Sequence, residues 1–397
     1  MPVPVVPADL RGGFLLAPGI AHLNHGGFGA CPRPVFLAYQ QAQRDIEAHP
    51  SAFLSRDYDQ LMAEVRDRLA SYAGCPPASL VLVPNATSGL NAVARSVPLR
   101  AGDQVLATDH EYPAADLLWA QVCGQAGASY IRHPIPLPAD LAAGSPRPGS
   151  DVADSLFSAV TPATRVIFIS HITSVTAFLM PVAEICRRAR AQGIMTIVDG
   201  AHAPGHIPLS LDALGADAYA ASAHKWLCAP RGTGFLHVRP EYQAAVLAPL
   251  VSHGSGAGST FTGRFRWQGT RDPGAFLALP AAIDFQRSHH SPAVRRRCHE
   301  LARTARTAVS ELFGLAPCTP DSPGWFRQMV SARVPACDDA RVRARLLAEH
   351  GVDVPVRSWN GQALVRVSAQ SYNTEDDIER LIAALARVVP QEPPTEP

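Results

Sequence analysis

The stretch that decides the fold is IMTIVDGAH (residues 194–202), followed closely by DAYAASAHKW (residues 217–226). Each begins with a short apolar run, typical of a buried strand, and continues into polar residues. Further runs of this kind, separated by longer helical patterns, lie at 80–83, 104–108, 165–170 and 233–238. This alternation predicts an α/β fold, in which helices cover both faces of a mainly parallel sheet.

Composition indicates which partners to expect. Hydrophobic residues make up 47% of the 397 residues, and 35 basic side chains nearly balance 34 acidic ones, so we expect neither nucleic acid nor a membrane as partner. The N-terminus lacks a signal-peptide pattern, which predicts a cytoplasmic protein that acts on a small molecule. The eight cysteines are dispersed without a C-x-x-C pair, so we expect free structural thiols and no metal site.

Two reactive side chains follow neighbouring predicted strands. Asp199 ends one strand, and Lys225 comes shortly after the next, at the edge where open α/β sheets bind ligands. Taken singly, the aspartate fits a helix cap and the lysine a surface residue. Ser222 and His224 flank the lysine, however, and a Gly-Thr-Gly turn follows. The set suits pyridoxal phosphate (PLP), which needs a lysine for a Schiff base and a carboxylate for its ring nitrogen.

Other strand ends offer the remaining parts of such a site. The segment NATSGLNAVARSV (residues 85–97) runs into a helix whose first N–H groups suit a phosphate at Ala86, Thr87 and Ser88, although an ordinary capped helix explains it equally well. Tyr112 or His110 would lie over the cofactor ring, and His171 would bond its substituents. A purely structural role remains open for both histidines.

Five motifs spread along the chain carry a family resemblance. They are HLNHGGFGACP (22–32), DGAHAPG (199–205), SAHKWLCAPRGTGFL (222–236), WQGTRD (267–272) and VRVSAQSYNTEDDIERL (365–381). With them the chain resembles fold-type I PLP enzymes of the class V aminotransferase family, and within it the isopenicillin N epimerase-like group. The resemblance implies a mainly parallel seven-stranded sheet and a smaller C-terminal α+β domain.

The resemblance also implies a role for each site residue. Lys225 would carry the Schiff base, Asp199 would pair with the pyridine nitrogen, His202 would bond the phenolate oxygen and Tyr112 would stack on the ring. Phosphate ligands would be Thr87, Ser222 and His224, joined by Thr270 from the other subunit of a homodimer. Arg366 would hold the substrate α-carboxylate, a task that suits guanidinium, and Asn24 and His25 would line the substrate side.

Domain boundaries follow from these assignments. We expect an N-terminal arm at 1–35 lining the active site, a large PLP-binding domain at 36–268, and a small domain at 269–389 that the N-terminal segment partly completes. The segment after Pro390 has no apolar anchor, so we expect residues 390–397 to be a disordered tail.

One departure bears on the reaction. Cysteine desulfurases carry a nucleophilic cysteine shortly before the carboxylate-binding arginine, but PVRSWNGQALVR (355–366) contains none. We therefore disfavour a desulfurase, and we also place an aminotransferase behind the hypotheses that follow. The preferred hypothesis is processing of a cysteine S-conjugate or similar amino acid in natural-product biosynthesis, by C–S β-lysis or decarboxylating oxidative deamination. The Gly-rich segment 252–267 would admit its bulky side chain. Epimerisation is the alternative, and the presence of Lys225 and Asp199 argues against a non-catalytic binding module.

Overall fold

A computed structural model describes residues 10–140 and 150–393 of the chain. The strands are β1 (Ala21–His22), β2 (Leu80–Val83), β3 (Gln104–Thr108), β4 (Ser129–His133), β5 (Thr164–Ser170), β6 (Met195–Asp199), β7 (Ala218–Ser222), β8 (Gly234–Val238), β9 (Met329–Val334), β10 (Val352–Asp353), β11 (Val356–Trp359) and β12 (Gln362–Ser368).

The helices alternate with these strands in the large domain. They are α1 (His25–Phe28), α2 (Arg33–Ala48), α3 (Pro50–Ala52), α4 (Tyr58–Ala73), α5 (Ala86–Ala94), α6 (Pro113–Ala126), α7 (Ser150–Ser158), α8 (Val182–Ala191), α9 (Leu211–Leu214), α10 (Pro240–Gln243), α11 (Phe261–Arg266), α12 (Gly274–Leu277), α13 (Leu279–His289), α14 (Pro292–Phe313), α15 (Asp339–His350) and α16 (Glu375–Val388). In the part of the chain that the structure describes, no helix is both long and apolar enough to cross a bilayer.

A seven-stranded sheet forms the centre of the large domain, in the order β2-β8-β7-β6-β5-β3-β4. Strands β4, β3, β5, β6 and β7 pair in parallel, and β8 runs antiparallel to both of its neighbours. Alternate residues of β5 enter two cores: Ile167 and Ile169 pack on one face of the sheet, and Val166 and Phe168 on the other. The predicted α/β fold with a mainly parallel sheet is confirmed.

The sequence did not predict strand β4. It occupies the edge of the sheet, and most of its side chains are exposed or half-buried. An edge strand needs no continuous apolar run, because it is not covered on both faces. The segment after β4 includes residues 141–149, which lie outside the described residues.

The C-terminal part forms a second, smaller sheet. Strands β11, β12 and β9 are antiparallel, and α14 packs against β9. Near the N-terminus, β1 pairs in parallel with β10, so the first residues add a strand to this part of the molecule. The exact domain boundaries remain predictions.

The packed chain extends past the predicted start of the tail. Residues Val389–Gln391 form a short 3-10 helix, and the Glu392 carboxylate accepts a hydrogen bond of 3.0 Å from Arg345. The tail was predicted to begin at residue 390, but the chain stays packed to at least Glu392, because this side chain bonds Arg345. Residues 394–397 lie outside the described part.

Gly29 lets the N-terminal arm approach the Lys225 segment. Its φ of 70° and ψ of 162° belong to glycine, and a Cβ there would overlap the His224 carbonyl oxygen. Gly19 also has a positive φ (77°), but a Cβ there meets nothing within 4 Å. We expect Gly29→Ala to lower the free energy of unfolding by more than ~3 kcal/mol and Gly19→Ala by only about 1 kcal/mol, measured by urea unfolding. Equal losses would contradict this account of the arm.

Candidate active site

A cleft opens at the carboxyl ends of β5, β6 and β7, where polar side chains from several loops converge. The lining residues are Gly27, Phe28, Asn85, Ala86, Thr87, Tyr112, Ser170, Ile172, Ser174, Asp199, Ala201, His202, Ser222, His224 and Lys225. Parallel strands bring their carboxyl ends to one edge of the sheet, which is why residues so distant in sequence meet here.

Lys225 and His202 face each other in this cleft, with 3.4 Å between Nζ and Nε2. The Trp226 indole N–H donates to His202 Nδ1 at 3.2 Å, so the neutral imidazole carries its proton on Nε2. Burial lowers the pKa of His202 well below its usual value, and the Lys225 charge lowers it further. A neutral His202 can therefore donate through Nε2 to a ligand or to an unprotonated Lys225 amine.

The Lys225 amine loses its proton more readily than an ordinary lysine, because its pKa is lowered. Burial lowers the pKa of this amine, the Asp199 charge opposes this shift and the Arg366 charge adds to it, and the net result is a pKa of about 8. It is also the only lysine among the 35 lysines and arginines of the chain. This single occurrence was a signal for the reactive lysine that our motif-based reasoning missed.

A pH titration tests the state of this amine. We expect the reactivity of Lys225 toward an amine acylating reagent in the cofactor-free protein to reach half its maximum near pH 8, since only the neutral amine reacts. An ordinary lysine would require about pH 10.4. Peptide mass mapping separates this lysine from the terminal amine, and a midpoint near pH 10 would contradict the burial effect.

Asp199 ends β6 and is buried, with 5% of its surface exposed. Its Oδ1 accepts the Ala201 N–H at 2.8 Å. Burial raises the pKa of Asp199, whereas this hydrogen bond and the Lys225 charge act in the opposite direction. A positively charged ring nitrogen placed beside this carboxylate would keep it ionised.

Glu111 is a second buried acid, and the sequence analysis did not single it out. Its carboxyl oxygens bond the hydroxyls of Thr108 at 2.7 Å and Ser170 at 2.6 Å. Burial raises the pKa of Glu111 to about 8, and the charge of Asp199 adds to the shift. Burial thus raises the pKa of both acids, and the two hydroxyl donors oppose the shift at Glu111.

An anion cradle lies at the start of α5. The Asn85 side chain caps the helix by accepting the Ser88 N–H at 2.8 Å, and the Ala86 N–H donates to Ser222 Oγ at 3.1 Å. Gly234 of β8 lies against Asn85, and a Cβ there would overlap the Ala221 carbonyl oxygen and crowd Asn85. Helix N–H groups and hydroxyls so arranged suit a phosphate.

His224 completes the cradle from the Lys225 side. Its Nδ1 lies 3.2 Å from the Thr233 carbonyl oxygen and donates to it, which leaves Nε2 for a ligand. Burial, followed by the Lys225 charge, lowers the pKa of His224 to about 4. A phosphate bound beside Nε2 would favour the protonated form, because opposite charge raises the pKa of a histidine.

Arg366, on β12, does not itself line the cleft, but it contacts Ser174, which does. It is buried, and its Nη1 donates to the Ser174 carbonyl oxygen at 2.5 Å. Its Nη2 approaches Asn24 Oδ1 at 3.4 Å, which ties the N-terminal arm to this arginine. Burial lowers the pKa of Arg366 to about 10. Such an unneutralised cation is costly unless an anion binds there.

Several predicted site residues do not line this cleft. His171 Nδ1 bonds Tyr219 Oη at 2.9 Å, Ser88 is held by Asn85, and His25 bonds Tyr372 and Gln370 in the core. His110 bonds Ile135 and Thr176 and stacks on Trp359, and Thr270 is exposed. Position after a strand predicts proximity to the site, but it does not fix the direction of a side chain.

Other lining residues escaped the sequence analysis. Ser174 and Ile172 follow β5, and Gly27 and Phe28 enter from the N-terminal arm. A polar loop after β5 was visible in the sequence. The contact between Ser174 and Arg366 was not, because it joins positions far apart in the chain.

No cysteine lines this cleft among the described residues, which include all eight cysteines, each unpaired. Cys228 is the nearest in sequence to Lys225, but it is buried, and burial raises the pKa of its thiol far above the usual value. Burial likewise raises the pKa of Cys337 to about 11. A buried, protonated thiol is a poor nucleophile.

The residues present fit PLP. Lys225, the buried Asp199 carboxylate and the cradle of α5 and His224 stand around one cleft, beside the ring of Tyr112. These groups lie at the carboxyl ends of the strands of a mainly parallel sheet, where such sheets bind ligands. The combination defines a PLP enzyme of fold-type I.

Comparison with known proteins agrees with this class. The family described as aminotransferase class-V matches residues 29–381. Isopenicillin N epimerases of Amycolatopsis lactamdurans and Streptomyces clavuligerus are 39% and 36% identical, each aligning over 95% of this chain and 97% of its own length. A structure of a C-DES mutant with glycine covalently linked to the PLP cofactor has the same fold (TM-score 0.83, 22% identity, 95% and 99% coverage). The chain belongs to the class-V aminotransferase family and is a PLP-dependent enzyme.

Proposed function

We propose that this enzyme epimerises an amino acid at its α-carbon, with Lys225 as the base that moves the α-proton. The observation that carries the proposal is the half-buried Lys225, whose amine lies 3.4 Å from His202 Nε2 and has a pKa lowered to about 8, in a cleft lined by no cysteine. The similarity along nearly the whole chain to isopenicillin N epimerases supports it. It also shifts our preference from the lyase hypothesis to the epimerase alternative.

Each side chain in and beside the cleft has its own role in the proposed reaction. PLP, when bound, supplies an electron sink for the pair left at the α-carbon. The Asp199 carboxylate would hold the proton on the ring nitrogen, and the N–H of His202 would bond the phenolate oxygen. Arg366 holds the substrate α-carboxylate, which orients the α-proton toward Lys225. Thr87, Ser222 and His224 would hold the phosphate.

Inversion requires a second acid on the face opposite Lys225. Tyr112 lines the cleft and is 43% exposed, so solvent reaches it. We propose that the ring of Tyr112 stacks on the cofactor ring. The proton donor on this face is then the Tyr112 hydroxyl or a water beside it. We also propose that the enzyme is a cytoplasmic homodimer. In this dimer, Thr270 of the second subunit would join the phosphate cradle.

β-Elimination from a cysteine S-conjugate is the second candidate. It is favoured by one feature of the cleft: Lys225 is its only lysine, and no described carboxylate besides Asp199 lines it. An elimination needs this base alone, because the leaving thiolate takes the place of the second proton transfer.

Deuterium exchange distinguishes epimerisation from β-elimination. The PLP-loaded enzyme is incubated in D2O with L-amino acids that include S-alkyl-cysteines. Epimerisation gives α-deuterium with inverted configuration on chiral chromatography, whereas elimination gives pyruvate and free thiol. CO2 release would instead indicate decarboxylation. The proposal fails if no amino acid acquires α-deuterium with inversion, and Lys225→Ala serves as the blank.

A further inference from the structure

The tip of the β11–β12 hairpin contacts the segment between β3 and α6. Trp359 and Gln362 are register partners, so Asn360 and Gly361 alone form the turn. Both turn residues have positive φ, 46° and 76°, which is the conformation that an Asn-Gly pair favours in a two-residue hairpin turn. This short turn gives the tip, which belongs to the smaller sheet, a defined backbone conformation.

Trp359 and Asn360, at this tip, both bond Asp109, the first residue after β3. The Trp359 indole N–H donates to the Asp109 carbonyl oxygen at 3.0 Å, and the Asn360 amide donates to the Asp109 carboxylate at 2.6 Å. The Trp359 ring also stacks on His110, with 4.4 Å between ring centroids and 22° between the planes. These three contacts join the smaller sheet to the two residues that follow β3.

His110 gives the hairpin a fixed surface on which to pack. Its buried ring donates from Nε2 to the Ile135 carbonyl oxygen at 2.7 Å and accepts at Nδ1 from the Thr176 hydroxyl at 2.9 Å. Burial lowers the pKa of His110, which favours the neutral ring that this bonding pattern requires. Since both nitrogens are used inside the protein, the face of the ring is what His110 offers to Trp359.

Tyr112 lies two residues after His110 and is the N-cap of α6. It lines the cleft and is 43% exposed, and in the described part of the chain its side chain has neither a hydrogen bond nor a ring partner. The position of the Tyr112 ring therefore depends on the backbone of residues 109–112. Glu111 anchors this segment to the central sheet, and the hairpin anchors it to the smaller one.

The same hairpin carries Arg366 on β12, where it contacts Ser174 of the cleft. One hairpin thus meets both the group proposed to hold the substrate α-carboxylate and the segment that leads to the proposed second proton donor. From this geometry we infer that the hairpin tip positions Tyr112 relative to the bound substrate, with Trp359 and Asn360 as the positioning residues. Their contact determines how efficiently the α-carbon is protonated on the second face. This inference rests on the proposed function and adds two residues to it.

Two substitutions remove the hydrogen bonds to Asp109 while keeping the local shape. Trp359→Phe keeps an aromatic ring for stacking but has no N–H, and Asn360→Gly keeps a residue that accepts positive φ but has no amide. The test variant carries both changes. Ser358→Gly is the matched control, because Ser358 is exposed on the same hairpin and strand alternation turns its side chain away from the Trp359 face.

Hydrogen exchange in the cofactor-free protein measures the segment itself. In the test variant we expect the amides of residues 109–112 to exchange roughly tenfold faster, because two hydrogen bonds are lost, one of them to a carboxylate. Exchange at residues 86–94 of α5 should stay unchanged, and Ser358→Gly should match the parent at both places. Unchanged exchange at residues 109–112 would overturn the inference, because the hairpin would then not hold this segment.

The stereochemistry of α-deuteration measures the consequence for Tyr112. In D2O the PLP-loaded enzyme gives α-deuterated substrate of retained configuration when Lys225 returns a deuteron, and of inverted configuration when the second face is deuterated. The test variant should lower the ratio of inverted to retained product by about tenfold, while total α-deuteration changes by less than about threefold. Loss of folded or loaded enzyme alone does not move this ratio. An unchanged ratio would overturn the inference.

PLP affinity keeps this inference separate from the proposed function, since it needs no substrate. The apparent dissociation constant of PLP should rise about threefold in the test variant when Tyr112 is present and should not rise further in a Tyr112→Ala background. An equal effect in both backgrounds would overturn the inference, because the hairpin would then act on the cofactor by a route other than Tyr112. If the parent enzyme deuterates no amino acid, the proposed function fails, whereas exchange and PLP affinity still decide the role of the hairpin.

Discussion

Lys225→Ala is expected to lower turnover by at least about 10⁴-fold, because the variant loses both the attachment point of the cofactor and the base for the α-proton. As Lys225 is the only lysine, no other side chain can replace it. Steady-state kinetics with the best substrate of the deuterium screen measures the loss, and the absorbance of the lysine-bound cofactor should disappear with it.

The fold should survive this change. The Lys225 side chain is half-buried and its one hydrogen bond is to His202, so thermal unfolding of the cofactor-free variant should differ little from that of the parent. Small primary amines added to the variant should restore part of the activity, since they supply the missing base in the space left by the side chain. Full activity without added amine would remove Lys225 from the mechanism.

Asp199→Asn is expected to cost about 10³-fold in turnover with PLP still bound, since a neutral amide cannot hold a positive charge on the ring nitrogen. The substitution keeps the shape of the side chain and can still accept the Ala201 N–H. Measuring both PLP affinity and kcat for the variant and the parent separates loss of cofactor binding from loss of chemistry. We expect kcat to fall much more than PLP affinity.

Asp217 provides the control for this variant. It is also a buried aspartate of the central sheet, but it precedes β7 and bonds the Thr196 N–H and Arg239, away from the cleft. Asp217→Asn should lower the free energy of unfolding while leaving kcat of the folded enzyme near its original value. Comparable losses of kcat in both variants would mean that Asp199 acts through stability alone.

Sequence predicted the parts of this molecule that depend on local pattern. The strands ending at Asp199 and Ser222 are buried on both faces, so their apolar runs stand out, whereas the exposed edge strand β4 leaves no such trace. The placement of Lys225 near Asp199 follows from strand direction alone, because parallel strands align their carboxyl ends.

What sequence could not give were contacts that depend on side-chain direction and on distant segments. His171 follows a strand just as Asp199 ends one, yet it turns toward Tyr219 in the core. The bond from Arg366 to Asn24 joins the two ends of the chain, and the burial that raises the pKa of Glu111 exists only once the sheet is packed. Each requires the tertiary structure.

Borohydride reduction of the PLP-loaded enzyme, followed by peptide mass mapping, tests the central claim most directly. Reduction fixes the cofactor to whichever amine holds it. The account predicts one phosphopyridoxyl group per chain, on the peptide that contains Lys225. An unmodified Lys225 in enzyme saturated with PLP would contradict it.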